Sequence, residues 1–470
     1  YSIFNRKERL LLVFLGTFAA FLSPLTANVY YPAIVELSHE FHVSTDLINL
    51  TITVYLILQG LAPTFIGSIS DVIGRRPAYM ICFMVYFAAN VGLALQNSFA
   101  GLMVLRCIQS AGSSGTLTLA NALVADLATS SERGSYMGYA TLGAFFGQAV
   151  GPLIGGLLNA ALGWRSIFWF LVIFSATVFL IFIIVVPETC RAVVGNGSIP
   201  PQKWNISVLG YLTGRRFLQP NPSIPVPESP RAPRRPINLL GTVQIMFSKG
   251  AGCILLYTGF LFGGFYTQIA MVPVNFTEHF GFNSRQIGLC YLPFGLGCMA
   301  AALATGKAMD WNFQRIAKKL NYPIVPGQQN DLSKFPIEMA RIQIVIPLAF
   351  LGCVTVVMYG WMFHLTKSLA APLVLLFFLG FSLIGAFTAF STLLVDFYPD
   401  SPGTATAAAN LLRCWMGAGA VAFIGPLQAK IGSGFACVAV AICWILSSPL
   451  LWIVWKHGPA WREERRIKAE

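Results

Sequence analysis

Residues 166–186 read SIFWFLVIFSATVFLIFIIVV, twenty-one residues without a charge, a proline or a glycine. A hydrocarbon layer of ~30 Å is crossed by a helix of ~20 residues, so this stretch, which runs on to 187, is read as a membrane span. Working outward from it, eleven further apolar stretches are marked at about 10–34, 47–70, 78–97, 99–125, 135–159, 250–274, 286–306, 342–363, 368–395, 404–428 and 432–455. The composition agrees, with 56% of the 470 residues apolar and only 10% charged. An average soluble domain is about 25% charged, so this chain cannot coat a water-exposed surface. The expected fold class is an all-α polytopic membrane protein with twelve transmembrane helices.

Lys plus Arg number 31 against 18 acids, a formal charge of +13. In a soluble chain that excess suggests nucleic acid. Here 25 of the basic residues fall in the termini and in the loops after spans two, four, six and eight. Arg165, Arg285, Lys367 and Lys430 fall on the other side, and Arg106 and Arg413 lie inside spans. By the positive-inside rule both termini are expected in the cytoplasm, and no nucleic-acid partner is expected.

The segment 188–249 interrupts the pattern, and its proline-rich stretch 220–236 reads as a cytoplasmic linker. It divides the chain into an N-terminal bundle (1–187), the linker (188–249), a C-terminal bundle (250–455) and a tail (456–470). Residues 237–247 are apolar enough to lie along the membrane surface, with a disordered approach as the alternative. The halves echo each other: Gly67 and Asp71 close span two as Gly306 and Asp310 close span eight, and Asp126 after span four corresponds to Asp396 after span ten. A degenerate repeat of this kind suggests two pseudo-symmetric six-helix bundles and alternating access to a site near the midplane. The ten cysteines form no C-x-x-C pair and are read as small hydrophobes, so neither a metal nor a cofactor is expected.

Three groups of residues stand out. The loop after span two holds Gly67, Asp71, Gly74, Arg75 and Arg76; span four carries Arg106, Gln109 and Gly112; span five carries Gly138, Gly147, Gly151, Pro152, Gly155 and Gly156. Glycines at helical spacing let two backbones approach, and Pro152 kinks its helix. With these residues the chain resembles the major facilitator superfamily over essentially its whole length. The three groups look like that family's motifs A, B and C, the last being the antiporter signature of drug:proton exporters. Residues 24–33 (PLTANVYYPA), 187–198 and 410–414 (NLLRC) are similar to its fungal twelve-span drug:proton antiporter branch, with quinidine-resistance-type and citrate exporters alike in appearance. Ser110 stands where motif B usually has glycine, and is small enough to pack. Ala144 stands where the citrate exporters carry an arginine, which demotes citrate. The resemblance implies the major facilitator fold, no enzymatic activity, a plasma-membrane monomer, and export of amphipathic drugs or secondary metabolites in exchange for protons.

Charged side chains near mid-bilayer cost at least ~2.5 kcal/mol and usually face a cavity or a partner. Arg106 with Gln109, and Arg413 with Asn410, are therefore the leading pathway candidates, the alternative being arginines bonded to carbonyls at a helix break. Asn28, Tyr31, Tyr55, Gln59, Gln148, Tyr266 and Gln268 line the pathway or simply pack. None of the 18 acids falls in the middle third of a span. The proton carrier stays open between Asp126, Glu36 and an unplaced acid near Arg106. Asp71, Arg75, Arg76, Asp126 and Arg133, with Asp310 and Asp396 in the second half, read as cytoplasmic ion pairs that stabilise one access state, or as solvated charges. A competing reading is an organic-anion exporter, for di- or tricarboxylates or acidic metabolites, that uses the membrane arginines.

Overall fold

The computed structural model describes residues 4–127, 133–195, 199, 201–212, 239–320, 335–365, 368–398 and 402–469; the proline-rich stretch 220–236 and Lys367 lie outside the described residues. Among those described there are helices and turns and no strand. In chain order come α1 (Arg6–Asn28), α2 (Ile34–Glu40), α3 (Thr45–Ile73), α4 (Arg75–Leu95), α5 (Phe99–Leu127), α6 (Arg133–Leu162) and α7 (Arg165–Val185). Three short helices follow, α8 (Arg191–Val194), α9 (Val208–Leu212) and α10 (Leu239–Met246), the last falling on the apolar approach to span seven. The second half holds α11 (Lys249–Phe280), α12 (Ser284–Lys319), α13 (Ile337–Leu365), α14 (Ala370–Phe397), α15 (Pro402–Ser447) and α16 (Pro449–Ala469).

Nine described stretches are long and apolar enough to cross a membrane. One of them, 404–464, is broken inside α15 at Gly432, where φ is +79°, and supplies two crossings. The remaining two long helices are α5, whose apolar character is diluted by Arg106, Gln109 and its serines, and α6, with an apolar stretch Phe146–Leu162. Lipid offers no hydrogen bonds to a backbone, so every crossing is a helix that satisfies its own amides.

Two boundaries differ from the apolar pattern. The first span stops at Asn28 rather than 34, and a 3-10 turn, Tyr31–Ala33, precedes α2. Pro32 lacks an N–H and disfavours the helical conformation of Tyr31 before it. In the other direction α12 continues well beyond 306, because its polar end has good helix formers and places Lys318 and Lys319 against the helix C-terminus.

The described residues of 1–30, 61–151 and 158–238 form one compact unit, and those of 31–60, 152–157 and 239–470 a second. The division cuts α3 after Gly60 and α6 after Gly151. In the first unit α4 packs on α5 and α7, around rings such as Tyr79 and Phe182, whose centroids lie 4.7 Å apart. In the second, α11 packs on α15 and α12 on α14. A Cβ on Gly297 of α12 would strike the carbonyl of Phe377, and one on Gly380 of α14 that of Phe294, so these two backbones cross in contact.

Candidate functional site

In the first unit α5 buries Arg106 completely. Its Nη1 donates to Gln109 Oε1 one turn on, at 2.7 Å, and its guanidinium lies 4.2 Å from the Tyr30 ring centroid. Gln109 Nε2 donates to Asn90 Oδ1 of α4 at 2.7 Å, and Asn90 Nδ2 to the Tyr86 carbonyl at 2.7 Å. Tyr86 Oη in turn shares a 2.6 Å hydrogen bond with Thr26 Oγ1 of α1. An amide oxygen and a π face thus receive a cation that hydrocarbon alone would not tolerate. The approach is close because a Cβ on Gly112 would lie 2.7 Å from Tyr86 N. Ser110 and Ser113 are buried beside it.

The second unit contains a comparable arrangement at Arg413 on α15. Its Nη2 donates to Asn410 Oδ1, and its guanidinium sits 4.8 Å from the Phe262 ring centroid and 5.3 Å from that of Phe387. Asn410 Nδ2 donates to the Gln59 carbonyl of α3 at 3.0 Å. No carboxylate forms an ion pair with Arg413 among the described residues. Tyr266 lies so close to α15 that a Cβ on Gly417 would be 2.6 Å from its ring. Buried Gln268 hydrogen-bonds Cys437 Sγ at 3.6 Å. Tyr31 stands 6.4 Å from Tyr291, ring to ring, and Tyr55 is buried. Glu36 accepts from Ser284 Oγ at 2.8 Å. Back in the first unit, Asn28 donates to the Pro24 carbonyl of its own helix at 2.7 Å, and Gln148 is half-buried. The sequence-derived pathway residues therefore divide between the units, Arg106, Gln109, Asn28 and Gln148 in the first and Arg413, Asn410, Tyr31, Tyr55, Gln59, Tyr266 and Gln268 in the second.

The glycines of α6 have two partners. In the first unit α6 lies on α1: a Cβ on Gly147 would sit 2.8 Å from the Phe21 carbonyl, and one on Gly151 would sit 3.0 Å from Asn28 Cβ and 3.2 Å from the Leu25 carbonyl. In the second unit, beyond Pro152, a Cβ on Gly156 would meet the Ser284 carbonyl and Gly288 of α12. Gly155 is buried. The surroundings of Gly138 and the side chain of Arg133 lie outside the described residues.

Charges gather at one end of each unit. Arg75 Nη1 reaches Asp71 Oδ1 at 2.6 Å and Arg75 Nε reaches Asp126 Oδ2 at 2.9 Å. The side chains of Arg75 and Asp126 are only 11% and 8% exposed, against 66% for Asp71, so the Asp126 pair is the less screened by water. Arg76 is buried and donates to the Ile183 carbonyl at 3.1 Å. In the second unit Arg341 Nε pairs with Asp396 Oδ2 at 3.2 Å and Arg462 Nε with Glu338 Oε1 at 3.7 Å. Asp310 is exposed on α12 and joins no ion pair among the described residues.

Sequence reading passed over Glu188. Its buried carboxylate accepts from five donors: the amides of Arg75, Arg76, Thr189 and Cys190 and the Asn205 side chain, at 2.8 to 3.2 Å. It caps the start of α4, where helix amides lack partners of their own and favour an anion. Arg191 adds two bonds to the Asp126 carbonyl, at 3.0 and 3.1 Å. The available signal was the acid directly after an apolar span, opposite the glycine-arginine turn.

Long apolar helices that carry guanidinium groups in their interior and pack through glycines define a polytopic membrane protein. The chain belongs to the Major Facilitator Superfamily, whose model matches residues 16–422. It is 44% identical over 468 residues to the MFS-type transporter phiD of Fungal sp., covering 100% of this chain and 71% of that one. It is 43% identical over 463 residues to the MFS-type transporter clz19 of Cochliobolus lunatus, covering 98% and 87%. Citrate exporter 1 of Aspergillus niger is 35% identical over 483 residues, covering 100% and 90%. Among solved structures, the fold matches the xylose transporter XylE from E. coli (TM-score 0.66, 15% identity, 96% of this chain and 98% of that one). It also matches the human organic anion transporter MFSD10 (TM-score 0.62, 19% identity, 95% and 99%). The protein is thus an integral membrane transporter and not an enzyme.

Proposed function

We propose that this transporter exports amphipathic small molecules, drugs or secondary metabolites, by alternating access in exchange for protons. It works as a monomer in the plasma membrane with both termini in the cytoplasm, its moving halves being 1–187 and 250–455. The observation that carries the reading is α6. Its glycines bring two backbones within van der Waals contact immediately before a proline, in the pattern that resembles the antiporter signature. Arg106 with Tyr30, Gln109 and Asn90 supplies polar and aromatic groups for an amphipathic ligand, and the Arg75 and Arg341 ion pairs serve as cytoplasmic gates that open and close with the access state.

A second reading, export of organic anions, is favoured by Arg413, whose charge is met by an amide and two rings rather than by an acid. The likeness to a citrate exporter supports an anionic substrate, while Ala144 argues against citrate itself.

The test is transport into proteoliposomes, with a panel of cationic drugs and carboxylic acids, with and without a pH gradient, for the wild type, Arg106→Lys and Arg106→Ala. A pH gradient should drive the amphipathic drugs. Arg106→Lys keeps the charge but loses the fork of donors. A charge-assisted hydrogen bond of ~1.5–3 kcal/mol corresponds to a loss of about tenfold or more, with Ala lower still and both variants monodisperse. Transport of acids alone, indifferent to the gradient, would establish the second reading instead. Wild-type rates in the Ala variant would leave Arg106 a structural residue.

A further inference from the structure

The second unit carries a recess that the transport reading does not use. α11, α13, α15 and α16 enclose about 490 Å³, within the usual range of about 300–1,000 Å³ for small-molecule sites. Its floor is formed by Tyr257 and Trp444, 2% and 1% exposed, and its rim by apolar side chains such as Phe350 and Ile445, 71% and 58% exposed. Trp444 offers the recess no donor, because its Nε1 is committed to the Phe260 carbonyl at 2.8 Å. On α13 the lining residues Ile346, Phe350, Cys353 and Val357 recur at helical spacing, a continuous apolar stripe.

We propose that this recess binds the acyl chain of an anionic phospholipid whose phosphate is held at Lys456. The rim lies on the apolar surface of a membrane protein, so hydrocarbon is what surrounds it, and a lining made almost wholly of apolar side chains favours hydrocarbon. The charge stands at one end. Ile445, Ser448, Trp452 and Lys456 are spaced by three or four residues across the junction of α15 and α16 at Ser448, and Lys456 Nζ lies 5.2 Å from the centroid of the exposed Trp452 ring. From Ile445 to Lys456 the rise is about 16 Å, the depth of one leaflet of a ~30 Å core. Exposed tryptophan and lysine are the residues that anchor a helix at head-group level. A tail and an anion at that separation describe an anionic phospholipid; a sterol hydroxyl has no use for the cation. The choice of leaflet rests on the proposed cytoplasmic C-terminus, where anionic lipids are concentrated.

The experiment is native mass spectrometry of the purified full chain, titrated in turn with phosphatidylserine, phosphatidylcholine and cholesterol. The wild type should retain phosphatidylserine in preference to the other two. Lys456→Gln should weaken phosphatidylserine roughly fivefold, to the level of phosphatidylcholine, since a basic residue near the head groups is worth about that factor. Cys353→Trp should fill the recess and abolish retention of both. Independently of either variant, phosphatidylserine with a photoactivatable acyl chain should label peptides of α13 and of α15 or α16 in the wild type. Equal retention of the two phospholipids, stronger retention of cholesterol, an unchanged Lys456→Gln titration, or labelling confined to other helices would each overturn the proposal. Because no transport is measured, failure here leaves the exporter reading untouched.

Discussion

A methyl group at residue 74 would occupy the place of a carboxylate. Gly74 has φ +113°, a region that other residues rarely adopt, and a Cβ there would overlap the Glu188 carboxyl group. Gly74→Ala should therefore cost about 1–3 kcal/mol, from backbone strain and from moving an anion off the amides of α4. Thermal unfolding of the purified protein checks this, and an unchanged midpoint would show that the Glu188 contacts contribute little. At this scale sequence reading captures a residue's type better than its company. That Arg75 can reach Asp71 follows from a separation of four residues across the tight turn at Gly74, between α3 and α4. That Glu188 meets residues 113 and 112 positions earlier follows from no local pattern.

At the scale of the helix, α6 is a packed edge on α1. Gly147→Leu or Gly151→Leu would push branched carbons into the main chain of Phe21 and Leu25. Each should lower transport at least about tenfold, an overlap of 1–3 kcal/mol being typical of overpacking, while membrane-inserted protein is retained. Initial rates normalised to folded protein measure it, and normal turnover in both variants would remove α6 from the mechanism. Legibility was greatest here. The long apolar runs announce their helices because lipid admits no other backbone, and the glycine repeat announces a close contact. The partner helix was not legible, since a periodic stripe says which face is small but not what lies against it. The same limit hid Asn90 and Tyr30 beside Arg106, and Arg341 opposite Asp396. Helix ends were blurred where polar but helix-forming residues continue beyond the lipid, as in α12.

At the scale of the whole molecule the two halves repeat one device with changed charges. Arg75 at the start of α4 meets Asp126 at the end of α5, and Arg341 near the start of α13 meets Asp396 at the end of α14. The third member differs in sign: Glu188 follows α7, whereas Arg462, on α16, meets Glu338 of α13. The basic excess at these ends is the basis for the proposed orientation. Cysteine labelling in sealed vesicles should find the tail after 456 and the linker 188–249 on the cytoplasmic side, and external labelling of either would reverse the orientation. The assembly around Arg106 also bears on how the chain is made. A central arginine opposes translocon insertion by about 2.5–3.5 kcal/mol, and α5 adds Gln109 and several serines to that burden. Asn90 of α4, already synthesised when α5 emerges from the ribosome, holds the acceptor for Gln109, which in turn accepts from Arg106. Entry of the two helices as a hairpin would spare α5 that cost, so Asn90→Leu should lower the fraction of α5 inserted in a translocon assay, and unchanged insertion would show that α5 enters unaided.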